Sequence, residues 1–149
     1  MITKSILIGA AMMLAANAGQ TAPCDPGHRM SLSQINAAVI GNYTCVGAFP
    51  NATWNELLIG GTVVDYKLGP TSTTDKSTQV GTYATGGSDD NLNGGTLVYN
   101  YSPGGTFAYF IDTGTSNGTL GSSPFTFCQE IGSITNGTNY LVNVRPNHC

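Results

Sequence analysis

The chain has 149 residues, a formal net charge of −3 and four cysteines, and only 9% of its residues are charged. A typical soluble domain carries about 25% charged residues, so no basic patch exists here to hold nucleic acid. No segment matches the roughly 20 apolar residues that span a bilayer as a helix.

The first 18 residues read as a signal peptide. Lys4 is the positive n-region, Ile6 to Ala15 the apolar h-region, and Ala16-Asn17-Ala18 the small-x-small cleavage site. Residues 19–149 are then one domain, and its expected place is the periplasm or the cell exterior. An even number of cysteines in an exported chain points to disulfides rather than metal or thiol chemistry, which makes Cys24, Cys45, Cys128 and Cys149 structural.

From Gly19 to Arg29 there are two prolines and no periodicity, so an extended arm tied down at Cys24 is expected. A short helix follows, about Leu32 to Ile40. Ser31 and Gln34 form a capping box, with Met30 and Ile35 at the staple positions. Leu32, Ile35, Ala38 and Val39 make its apolar face, and Gly41 ends it.

Beyond Gly41 the hydrophobic period changes to two. Strands are predicted at Tyr43–Gly47, Trp54–Ile59, Thr62–Leu68, Gln79–Thr85, Thr96–Tyr101, Thr106–Asp112, Pro124–Glu130 and Tyr140–Arg145. The clearest hairpin runs from Thr96 to Ile111. Leu97, Tyr99 and Tyr101 alternate on one face, Ser102-Pro103-Gly104-Gly105 turns the chain, and Phe107, Tyr109 and Ile111 alternate on the return. Gly60-Gly61 supplies a second tight turn. The fold class is all-β: an antiparallel meander of about eight strands with one short N-terminal helix, closing into a barrel or packing as an open sheet or sandwich.

Gly41-Asn42-Tyr43-Thr44-Cys45, Val80-Gly81-Thr82-Tyr83 and Pro124-Phe125-Thr126-Phe127-Cys128 follow one another in this order. This pattern resembles small exported bacterial proteins of lipocalin-like (calycin-like) character, over roughly Leu32 to Cys128. The resemblance implies a meandering barrel and leaves a ligand open. The chain departs from true lipocalins in lacking their Gly-x-Trp signature; its single tryptophan lies in Ala52-Thr53-Trp54-Asn55-Glu56.

Four cysteines allow three pairings. Cys45 opens the meander and Cys128 nearly closes it, which favours Cys45–Cys128 with Cys24–Cys149. Local pairing, Cys24–Cys45 with Cys128–Cys149, is the alternative.

Several residue groups invite a functional reading beside a plainer one. Asp89, Asn91 and Asn93, followed by Gly94, match the opening of a calcium loop, yet Asn100 stands where the closing glutamate belongs. The same residues build ordinary turns. His28 and His148 lie near terminal cysteines and would approach each other and Asp25 if Cys24 paired with Cys149; the plainer reading is two solvated arm residues. Neither histidine sits where a catalytic triad needs one. Glu56 and Asp65 fall on adjacent strands, as a carboxylate pair or as surface acids. No catalytic set, cofactor site or metal site is assembled, and the chain is expected not to be an enzyme.

The aromatic residues carry the binding expectation. If Tyr99, Tyr101, Phe107 and Tyr109 point inward with Trp54, a small barrel can hold a flat or apolar ligand. The same rings can instead fill the barrel solidly. A non-catalytic structural or protein-interaction module of the periplasm or cell exterior is the alternative function.

Overall fold

A computed structural model describes residues 24–47, 54–66, 78–90, 94–114, 124–130 and 139–149. Residues 1–18, read above as a signal peptide, and the Asn91–Asn93 part of the candidate calcium loop lie outside these.

Eight antiparallel strands close into a barrel in simple sequence order. They are β1 (Tyr43–Val46), β2 (Trp54–Ile59), β3 (Thr62–Asp65), β4 (Thr78–Gly87), β5 (Gly95–Tyr101), β6 (Gly105–Asp112), β7 (Phe125–Glu130) and β8 (Asn139–Arg145). Closure comes from β1 on β8, with Tyr43 opposite Arg145 and Cys45 opposite Asn143. Closing the sheet removes both exposed edges. The β2–β3 turn uses Gly60 and Gly61 with φ of 58° and 81°. Two successive positive-φ residues suit the right-handed twist of a hairpin and exclude most side chains.

Alternation sorts the faces. Leu58, Val63, Leu97, Tyr99, Ile111, Phe125, Phe127 and Val142 are buried together inside. Thr82, Asn100 and Thr106 form a polar cross-strand row on the outside. This row is polar where the outer face of a lipid-facing barrel is apolar. Among the described residues no helix is long and apolar enough to cross a membrane.

One end of the barrel is stopped by α1 (Leu32–Ala38). Its capping box is complete: Gln34 N–H donates to Ser31 Oγ at 3.2 Å, and Ser31 N–H donates to Gln34 Oε1 at 2.8 Å. The staple residues Met30 and Ile35 are both wholly buried. Burying a side chain of that size stabilises by about 1.5–3 kcal/mol. The helix sits directly on Gly95 of β5, where a Cβ would lie 2.7 Å from Ile35 Cδ1 and 2.9 Å from the Leu32 backbone. Only glycine allows so close an approach.

The arm before α1 is not simply extended. Asp25 caps a single 3₁₀ turn, Pro26–His28. The arm then crosses the outer face of β6 and β7. Arg29 bridges to Asp112, and Met30 N–H donates to the Ile111 carbonyl at 2.8 Å. The Arg29 guanidinium lies 4.5 Å from the Phe110 ring centroid and forms an ion pair with Glu130.

This path corrects the expected disulfides. The bridges are Cys24–Cys128 and Cys45–Cys149, not Cys45–Cys128 with Cys24–Cys149 and not the local alternative. Cys45 and Cys128 cannot meet because β8 lies between β1 and β7. The N-terminal arm runs along β6, which brings Cys24 to Cys128. The C-terminal tail turns back toward β2, where Cys149 Sγ is 3.7 Å from the Trp54 carbonyl oxygen, and so reaches Cys45. Both bridges need an oxidising compartment to form and persist.

An aromatic cavity with a carboxylate in its wall

Buried side chains, Met30, Ile35, Leu58 and Leu97 among them, pack the half of the barrel nearest α1. The opposite half opens into a cavity of about 310 Å³, lined by Val46, Trp54, Glu56, Tyr101, Phe107, Tyr109 and Tyr140. Ligand sites commonly measure about 300–1,000 Å³, so this one suits a small molecule. The described lining residues all lie on strands. Trp54 and Glu56 are two apart on β2, Phe107 and Tyr109 two apart on β6, and Tyr101 and Tyr140 lie on β5 and β8.

Trp54 is the hub of the rings. Its centroid lies 5.5 Å from Tyr99, 5.9 Å from Tyr109, 5.8 Å from Phe127 and 5.4 Å from Tyr140. Most of these contacts are edge-to-face, the arrangement favoured by ring quadrupoles. Tyr101 stacks on Tyr99 at 5.7 Å with planes only 6° apart.

Glu56 is 7% exposed. Its carboxylate accepts from the Tyr101 hydroxyl at 3.0 and 2.9 Å and from Trp54 Nε1–H. Charge-assisted donors of this kind offset part of the cost of burying an acid. The carboxylate in turn acts on the phenols. Tyr101 is raised far above the ordinary tyrosine range, first by burial and then by the Glu56 charge. Tyr109 is pushed up to about 12 by burial, Tyr140 and Glu56. Tyr99 is also raised, by burial and then Glu56, with the Thr44 hydroxyl pulling the other way. All three phenols therefore remain neutral hydroxyl donors at physiological pH.

Four of the five expected binding residues (Trp54, Tyr101, Phe107 and Tyr109) line this cavity; Tyr99 does not. It is wholly buried. It forms part of the core beneath the cavity. Glu56, Tyr140 and Val46 join the lining without having been singled out for it. The signal was present for two of them: Trp54-x-Glu56 and Tyr140-x-Val142 put Glu56 and Tyr140 on the inward face by period-two alternation. Asp65 is the cross-strand partner of Glu56.

No known protein family, curated protein or solved structure matches this chain.

The remaining candidates do not converge. The corrected bridges separate the two histidines. His28 lies 3.6 Å from both Asp25 and Asp112, whereas His148 packs on Tyr43 and Tyr66. Asp89 accepts the Ser33 backbone N–H at 2.7 Å, which ties its loop to α1. Among the described residues no group of three His, Cys, Asp or Glu side chains is placed to hold a metal. A second depression of about 440 Å³ lies at the β4–β5 seam, between Gln79 and Ser102. It is larger, but among its described lining residues Tyr101 is the one ring and none is charged, so these offer little to orient a ligand.

Proposed function

We propose that this chain is an exported small-ligand-binding module of lipocalin-like type, holding an apolar or aromatic ligand in the barrel. The carrying observation is the division of the interior. A core plugged by α1 fills one half, and five aromatic rings wall an open cavity in the other. A barrel that needed only stability would fill both halves, as eight strands permit. The export signal and the two disulfides support a periplasmic or secreted location.

The test is displacement of the ligand space. A neutral fluorophore such as phenylnaphthylamine is titrated against the protein and against Val46→Trp, which places an indole in the cavity. Binding to the native protein that is lost in a folded Val46→Trp supports the reading. Equal binding to both, or no binding of any small probe to either, refutes it and favours a non-catalytic structural or protein-interaction module.

A further inference from the structure

The cavity wall is not uniformly apolar. Among its described lining residues Glu56 alone carries a formal charge. The rings beside it are inclined to one another. Trp54 and Tyr140 meet at 85°, Tyr109 and Tyr140 at 70°, and Trp54 and Tyr109 at 49°. These rings line the same space as Glu56, and an aromatic ring attracts a cation that sits over its face.

Consider what a ligand must do on entry. A purely apolar molecule seated over Glu56 strips solvent from a carboxylate and supplies nothing in return, which is costly in a low-dielectric site. A molecule with an ammonium group supplies the counter-charge at the same position. Its methyl or methylene groups then meet the ring faces. The Tyr101 hydroxyl and Trp54 Nε1–H already donate to the carboxylate, which fixes its orientation in advance of binding. The phenols offer neutral π-faces to a cation. The net charge of −3 adds a weak attraction for cations.

We infer that the cavity selects a small organic cation, an amine or quaternary ammonium on an apolar body, with Glu56 as counter-ion and Trp54, Tyr109 and Tyr140 as its cage. This rests on the cavity being a ligand site and adds the chemical class of the ligand.

The test compares choline with dimethylbutanol, its uncharged carbon isostere, by calorimetry and by Trp54 fluorescence. Choline binds at least about tenfold more tightly, as expected for a charge-assisted contact in a desolvated site. Glu56→Gln keeps one acceptor oxygen for Trp54 and Tyr101, removes the charge and abolishes the preference. The isostere comparison on the native protein stands even if that variant fails to fold. If the two probes bind alike, with or without Glu56, the cation inference falls while the ligand site survives. If neither these probes nor the neutral fluorophore binds, the ligand site itself falls, and the inference with it.

Discussion

The two disulfides span the same length of chain, 104 residues each, yet their removal is expected to have unequal effects. A single bridge closing a loop of about 100 residues restricts the unfolded chain by about 4.7 kcal/mol. Here the loops overlap, because Cys45 lies inside the first and Cys128 inside the second. With one bridge intact, the path joining the other pair shortens to roughly 40 residues, and the unfolded-state contribution drops to about 4 kcal/mol for either bridge. The native state then breaks the symmetry. Without Cys24–Cys128 the arm is still held by the Arg29–Glu130 pair and by the bond from Met30 N–H to the Ile111 carbonyl. Little native freedom is regained, and nearly the full 4 kcal/mol is lost. Without Cys45–Cys149 the tail after Arg145 keeps the packing of His148 on Tyr43 and Tyr66. These ring contacts restrain the tail less than the ion pair and backbone bond restrain the arm, so it regains some freedom, which offsets part of the loss, leaving about 2–3 kcal/mol. The assay is urea unfolding followed by Trp54 fluorescence, on Cys24→Ala/Cys128→Ala and on Cys45→Ala/Cys149→Ala. Both variants should also show a larger denaturant slope, since a less cross-linked chain exposes more surface. The reasoning is refuted if the Cys45/Cys149 variant is the less stable of the two, or if Cys24 and Cys128 can be replaced for under about 1 kcal/mol.

Two further outcomes follow from the packing and the buried phenols. Gly95→Ala drives a methyl against Ile35 and the Leu32 backbone, and overpacking there costs about 1–3 kcal/mol; a thermal melt matching the native protein would show that α1 is not seated so tightly. Above about pH 10, where an unfolded tyrosine ionises, the unfolded chain loses protons that Tyr99, Tyr101 and Tyr109 retain when folded, Tyr109 until about 12. Stability contributed by these phenols is therefore complete below pH 10 and falls as pH rises through the folded values; a native phenolate absorbance titration in which all seven tyrosines ionise together near the ordinary value would contradict this.

The local elements were legible in the sequence because each has a short-range cause. The capping box, the staple, the Gly60-Gly61 turn and the strand positions all arise within a few residues of one another. Alternation also assigned faces correctly, so Trp54, Tyr101, Phe107 and Tyr109 were expected inside, and they are. Alternation gives the side of a sheet and says nothing about depth along the barrel axis. Tyr99 and Tyr101 share a face and differ by two residues, yet one is sealed in the core and the other lines the cavity. That difference depends on where α1 plugs the barrel. Glu56 acquired its role from Tyr101, 45 residues away, a contact no local pattern encodes.

By itself, the sequence determined an all-β meander of about eight strands, one capped helix and the residues that face inward. These follow from side-chain periodicity and from hydrogen bonds closed within a turn. Tertiary structure decided that β1 meets β8, and with it the disulfide pairing. Closure placed β8 between Cys45 and Cys128 and left the two terminal arms to find one strand cysteine each. It also decided that the inner rings divide between a solid core and an open cavity, because that division is set by what fills each end of a closed barrel.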